Sequence, residues 1–553
     1  MTPDDLPNVS EVNLAVERAI RLAARSGNRL IAASTASVDL DPGPVRTALV
    51  TAMRAMGARL RPIGDEVEFS FVESVTGDLD SALCSALGTV PQPGAGLPTL
   101  VVGLDGSVRS PRGGSAASRI AWAAAGMPTT ARLAEHLVAG GSHAGVRVAV
   151  SLVLEPKTAA FARVLADAGC AVAVFSAVSE TDPSIAEELA RDERISVFAP
   201  RTADREQSAK SLDAEHAAGI LDWGPEFLID DGAHLIRLAH SERTAALARL
   251  RGAAEETTSG VRPVREMGAL GDLRIPVIAV NDARTKTGFD NLVGTGQSCV
   301  FAIADVLDDA RDRRPYGGIA GTRWAVLGYG PVGQGVARFA AALGADVVVV
   351  ERDPVRALAA LHDGYEAATR ATALPEADVV VSATGVWHTL DAAAISTLRD
   401  GAVVAVAGGI DDEIALDEMR DAGWRERLIA PSATAWTAPA APGAPTVLVL
   451  AGGGGINYTA GEGNPIEVMD LSFATQLAAL ARLIETPQEP GVHRLSETDE
   501  RRVAAAALAA LQGGVDPSPG TTRAGGAAQP WTVHRYRARG PEPGAAIAEA
   551  PKP

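Results

Sequence analysis

Along this chain, short apolar runs of strand character alternate with stretches whose apolar residues recur at helical spacing. From 119 to 290 the series is VRVAVSLVL (146–154), TAAFARVLADAG (158–169), CAVAVFSAV (170–178), a helix around SIAEELARD (184–192), then ISVFAP (195–200). A second series begins at 323: RWAVLGYG, a helix through GVARFAAALG (335–344), DVVVVE (346–351), a helix in PVRALAALHDG (354–364), DVVVSATG (378–385) and AVVAVAGG (402–409). Strands alternating with helices predict βαβ units and parallel sheets. The fold class is therefore α/β: a doubly wound Rossmann domain plus a second α/β domain.

Before them, 13–31 and 44–60 read as helices, and EVEFSFVESV (66–75) and LPTLVVGL (97–104) as strands. This is an extra N-terminal α/β unit, closed by the Ser/Gly/Pro stretch SVRSPRGGSAAS (107–118). Expected boundaries are 1–115 for that unit and 116–296 for a substrate-binding domain completed by 456–490. The dinucleotide domain takes 297–455, and 491–553 form a C-terminal helix and Pro/Gly-rich flexible tail. With 553 residues, several domains are the natural outcome.

Composition narrows the class. Hydrophobic residues make up 47% and charged ones 21%, as in a globular protein. The net charge of −18 argues against nucleic acid or an anionic membrane surface as partner. No secretory or membrane-spanning stretch is read, which makes a cytoplasmic protein the expectation. Cys84, Cys170 and Cys299 are far apart and read as buried small apolar residues. The histidines show no ligand spacing, so no metal site is expected.

GYGPVGQG (328–335) supplies a GxGxxG at Gly328, Gly330 and Gly333, after an apolar strand and before a helix. The glycines allow a tight turn, close backbone approach to a pyrophosphate, and close helix–strand packing, with the phosphates at the positive helix N-terminus. About twenty residues on, Glu351 ends the next strand, where an acid binds ribose hydroxyls and repels a 2′-phosphate. The cofactor expected is NAD. In TKTGFD (285–290), Lys286 and Asp290 fit either a surface helix pair or a loop at a strand's carboxyl end, where a desolvated Lys with a lowered pKa could be a general base. Asp230 and Asp231, after the apolar PEFLI, fit a helix cap or acid/base groups.

Several blocks in order, EETTSG (255–260), VNDARTKTGFDN (280–291), FLIDDGAHL (227–235), GYGPVGQG with ERDP, VSATG and NPIEVMDLSFATQ, closely resemble S-adenosylhomocysteine hydrolase motifs over 118–484. Enzymes of that family use tightly held NAD to oxidise a ribose 3′-hydroxyl, remove the acidified C4′ proton, eliminate the C5′ substituent, add water, and reduce the ketone. The resemblance implies Lys286 as base at the 3′-hydroxyl, Asp290 tuning it, Glu256 on the sugar hydroxyls, Asp231 for the C4′ proton, and Asn281 and Asn291 for orientation. Thr257, Thr258, Val332, Thr384, Gly385 and Asn457 are implied as cofactor contacts, and Asn464 and Met469 as substrate contacts. A homo-oligomer is also implied.

The chain departs from the family where it matters chemically. Val153, Gly409 and Asn464 stand where the resemblance places histidines, and Thr295 where it places a cysteine near the nicotinamide. Glu155 and Lys157 fall at the base-recognition positions. Oxidation and C4′ deprotonation are thus retained while imidazoles for leaving-group protonation and water activation are lost. The expected reaction is a nucleoside dehydration giving an exocyclic enol ether of the angustmycin type, with Glu155 or Glu462 as proton donor. The alternatives are hydrolysis of S-adenosylhomocysteine or a related thioether, and a non-catalytic NAD-binding regulator.

Overall fold

The computed structural model describes residues 9–75, 97–141, 143–201, 209–312, 314–408, 412–439 and 444–516. Three sheets organise these residues. In the first, strand Thr35–Asp39 lies between Arg59–Leu60 and Phe69–Val72. Leu100–Gly103 and the short antiparallel Val108–Arg109 follow on the outer side. The helix Val9–Gly27 covers this N-terminal unit and does not stop there. Its Ile20 and Ala23 share one apolar core with Cys299 and Phe301 of helix Thr295–Asp309 and with Phe339 of helix Pro331–Ala342. Arg21 pairs with Asp305 and, at 3.0 Å, with Asp308 of the helix Thr295–Asp309; Arg18 reaches Asp308 at 2.6 Å. The unit is built into the molecule rather than appended to it.

The second sheet has seven parallel strands. From one edge the order is Ile195–Phe198, Ala171–Phe175, Arg147–Ser151, Phe227–Asp230, Gly252–Glu255, Pro276–Ala279 and Gly491–His493. Helices cover both faces, so strands such as Phe227–Asp230 are buried on each side and read as continuous apolar runs. The order in which strands are added reverses between the parallel neighbours Arg147–Ser151 and Phe227–Asp230. That switch point is where open α/β sheets leave a crevice at their carboxyl ends. Two strands escape the periodicity. Gly252–Glu255 has the sequence GAAE, with no β-branched residue, and Gly491–His493, expected as part of the tail, is an edge strand of this sheet.

The third sheet carries the glycine turn. Its order is Glu366–Ala367, Asp346–Val350, Arg323–Leu327, Val379–Ser382, Val403–Val406, Thr446–Leu450, Ala433–Thr437 and Arg425–Ala430, the last two antiparallel. Its switch point falls between Arg323–Leu327 and Val379–Ser382, so Gly328 and Thr384 emerge side by side. The long helix Ile466–Glu485 then returns to the second sheet, buried along most of its length, and stacks Phe473 on Phe161 with ring centroids 4.5 Å apart. Cys170 and Cys299 are buried free thiols, pushed up to about 11 and about 12 by burial; Cys84 lies outside the described residues. Among the described residues, no helix is long and apolar enough to cross a membrane.

Candidate active site

A cavity of about 460 Å³ joins the carboxyl ends of the second and third sheets. Its wall contains Glu155, Lys157, Asp231, Glu256, Thr257, Thr258, Lys286, Asp290 and Asn291 from one side. From the other come Gly328, Gly330, Val332, Glu351, Thr384, Gly385 and Asn457, and Thr295, Asn464 and Met469 lie between. Residues scattered over more than three hundred positions thus share one space.

On the cofactor side, Gly328 has φ 89°, a left-handed conformation that a Cβ would strain. A Cβ on Gly333 would lie 1.9 Å from the Gly328 carbonyl oxygen, so this glycine lets helix Pro331–Ala342 close on the strand and is not itself in the wall. A Cβ on Gly330 would meet only Arg356 Nη1, at 3.6 Å. That open ground in front of the helix N-terminus fits a pyrophosphate. Glu351 accepts hydrogen bonds from the backbone N–H groups of Tyr329 (2.6 Å), Arg352 (2.6 Å) and Asp353 (3.0 Å). Burial opposes ionisation here, but those donors hold the carboxyl below its ordinary range, so it is a fixed anion facing the cavity. Arg352, Arg356 and Arg370 line the same end. Beneath Thr384, the buried Glu413 accepts from Ser382 Oγ (2.5 Å), Thr384 Oγ1 (2.9 Å) and Gly385 N–H (3.1 Å), shaping the turn; burial raises its pKa.

On the opposite side of the cavity, 285–290 is not a loop. A short helix, Arg284–Lys286, runs into the wide π-helical turn Thr287–Gly294 and on into helix Thr295–Asp309. The widened turn brings positions four and five apart onto one face. Lys286 Nζ consequently donates to Asn291 Oδ1 at 2.7 Å and pairs with Asp290 at 3.0 Å, with Glu256 at 3.5 Å. Asn291 donates to Asn281 Oδ1 (2.9 Å), which turns its own oxygen towards Lys286. Asn281 also accepts from Thr258 Oγ1 (3.1 Å) and lies behind the wall. Glu256 is held from helix Ile466–Glu485 by Ser472 Oγ (2.5 Å) and Gln476 Nε2.

The expected lowering of the Lys286 pKa is corrected here. Burial works in that direction, but Asp290 and Glu256, with Asp231 further off, outweigh it and raise the pKa. In the free enzyme this lysine is an ammonium. Burial keeps the Glu256 and Asp231 carboxyls above their usual range. The adjacent aspartates are placed differently. Asp230 Oδ2 accepts the Ile236 N–H (2.9 Å) inside the first turn of helix His234–Ser241 and, wholly buried, is pushed up to about 6, whereas Asp231 faces the cavity. Thr257 caps helix Thr258–Leu270 by accepting from Gly260 N–H.

The two carboxylates considered as proton donors are already engaged. Glu155 caps helix Pro156–Asp167, accepting from Lys157 and Thr158 N–H, and pairs with Lys157 Nζ at 2.6 Å. Glu462 is bound by Arg112 and Arg119, which lower its pKa against its burial, and it is not in the wall. An ionised, doubly paired carboxylate has no proton to give. Val153 lines the cavity; Gly409 lies outside the described residues.

One residue missed by the sequence reading is His234, which lines the cavity on the first turn of the helix after Asp231. Its signal was its place three residues past Asp231 in DDGAH, at a strand's end. Glu413 was missed because an acidic run reads as a solvated face.

The sequence profile described as "S-adenosyl-L-homocysteine hydrolase, NAD binding domain" matches residues 299–463. The chain is 38% identical to an adenosylhomocysteinase of Thermotoga maritima over 396 residues, 71% of this chain and 94% of that protein. It is 35% identical to the Gloeobacter violaceus adenosylhomocysteinase, over 72% of this chain and 90% of that one. An S-inosyl-L-homocysteine hydrolase of Methanopyrus kandleri is 34% identical, with 70% and 88% covered. The matched domain and the glycine turn, open at Gly330 and faced by Glu351, together identify NAD as the cofactor. Likeness of this extent, running through both sheets, shows that the chain belongs to the adenosylhomocysteinase family.

Proposed function

We propose that this member of the family acts on a nucleoside by transient oxidation of a sugar hydroxyl and ends as a dehydratase, releasing an exocyclic enol ether. The observation that carries the reading is the uneven wall of the cavity. Lys286 sits among Asp290, Glu256 and Asn291, with Asp231 in the same wall, while Val153 and Asn464 occupy positions where the family resemblance expects imidazoles.

Bound NAD supplies the hydride acceptor and, at the end, the donor. Lys286, once deprotonated, takes the proton of the 3′-hydroxyl, and Glu256 holds a neighbouring hydroxyl. The resulting ketone acidifies C4′–H, and Asp231 removes that proton. The C5′ hydroxyl leaves as water after receiving a proton from His234, which replaces Glu155 and Glu462 in that role. Lys286 gives its proton back to the C3′ oxygen as the ketone is reduced, which restores the hydroxyl.

A second reading, hydrolysis of a nucleoside thioether, is favoured by the names of the relatives and by the imidazole at His234. Product analysis in ¹⁸O-labelled water separates the two, with the NAD-loaded enzyme given psicofuranine, adenosine, S-adenosylhomocysteine and S-inosylhomocysteine separately. The dehydratase reading predicts a nucleoside 18 mass units lighter and free of label. Release of a thiol with ¹⁸O entering the sugar would overturn it in favour of hydrolysis.

A further inference from the structure

The N-terminal unit offers no chemistry in its sequence, yet one end of it meets the active site. Between the short helix Ile456–Thr459 and the long helix Ile466–Glu485 runs a loop that carries Asn464. Asn464 Nδ2 donates to Asp290 Oδ1 (2.5 Å) and Thr295 Oγ1 (2.9 Å), and its Oδ1 accepts from Asn457 (3.0 Å) and Ser298 (2.7 Å). Asp290 is the carboxylate paired with Lys286. Whatever fixes this loop therefore fixes the partner of the lysine.

The loop is gripped by Asn28 and Arg112 of the N-terminal unit and by Arg119 and Lys157 just beyond it. Glu462 has Arg112 on Oε2 and Arg119 on Oε1 (2.5 Å), and Arg119 also reaches Asp182 at 2.8 Å. The Glu462 carbonyl accepts from Asn28 Nδ2 (3.1 Å) and from Lys157 Nζ (2.9 Å), and the Asn28 carbonyl accepts the Ile466 N–H (3.0 Å). Arg112 and Arg119 are largely buried, so these charge-assisted bonds are weakly screened by solvent.

We infer that Arg112 and Arg119 are positioning residues: through Glu462 they set the Asn464 loop, and through Asn464 they hold Asp290 in register with Lys286. Neither lines the cavity. The inference rests on the proposed reading of Lys286 as the base. A displacement of about 1 Å at a catalytic group can cost on the order of 100-fold in rate, and slackening a loop two residues away should cost part of that.

The test compares wild type with Arg112→Gln/Arg119→Gln, with Arg112→Lys/Arg119→Lys, and with Glu462→Gln, which removes the anion without leaving it unpaired. Two quantities are read: hydrogen exchange at the Ala460 and Gly463 amides, bonded to Ile456 and Asn457 carbonyls, in NAD-free protein, and cofactor reduction at 340 nm under saturating nucleoside. Both glutamine variants should exchange faster at those amides and reduce cofactor about 10-fold more slowly, while the double lysine variant recovers most of the rate. Arg18→Gln, which cuts a different ion pair of the same unit, should leave both readouts unchanged. Unaltered loop exchange in the glutamine variants overturns the inference, as does faster exchange with a rate within about twofold of wild type. Absence of any reduction in wild type would sink the proposed reaction instead, and the exchange arm would still decide whether the arginines set the loop.

Discussion

Lys286→Met is expected to slow cofactor reduction by nucleoside on the order of 1,000-fold, within the range lost with a general base. Methionine nearly matches the length of the aliphatic stem, so the cavity keeps its shape and NAD should stay bound. The charge balance does not survive. Asp290 and Glu256 face the Lys286 ammonium from two sides, and without it Glu256, whose pKa burial already raises, loses the cation that favoured its charged form and takes up a proton more readily. Breaking a buried pair costs roughly 3–5 kcal/mol when an unpaired charge remains; protonation reduces that loss, and the melting temperature measures what is left. The pH dependence has a definite sign. Lys286 has a raised pKa in the free enzyme, so the neutral amine is scarce at low pH and the oxidation rate should climb on the alkaline side. A Lys286→Met enzyme that reduces its cofactor at near wild-type rate would place the base elsewhere.

Asp231→Asn should separate two steps that wild type runs together. The amide preserves size and hydrogen-bonding shape but cannot take a proton. Cofactor reduction should persist within about 10-fold, while exchange of the C4′ hydrogen with D₂O falls by on the order of 100-fold. Mass spectrometry of recovered nucleoside reads the exchange directly. Retained exchange would move the C4′ role to another group of the wall, with His234 the first to test.

The fold was written most plainly where burial is two-sided. DVVVV and RWAVL face apolar neighbours on both sides of their sheet and read as continuous runs, and Gly328, Gly330 and Glu351 carry a spacing whose physics is local. GAAE in Gly252–Glu255 was illegible because small residues suit a strand only once neighbours have packed around it. The same limit applies at the site. Ordered motifs brought Lys286, Asp290, Glu256 and Asp231 to attention, but the sign of the lysine's pKa shift depends on three carboxylates from separate segments, and no single stretch states their distance. The π-helical turn that gathers Lys286, Asp290 and Asn291 has no periodicity to announce it. Glu155 and Glu462 appeared available in the sequence because the cations that occupy them come from a neighbouring position and from Arg112 and Arg119, more than three hundred residues away in the chain.

On the proposed reaction, the nucleoside is oxidised before anything is eliminated. Rapid mixing of NAD-loaded wild type with psicofuranine or adenosine, followed at 340 nm, tests it most directly. A transient rise in absorbance that precedes product and decays as product forms is the predicted result. Product formed with no cofactor reduction at any time, under conditions where reduction would be resolved, would contradict it.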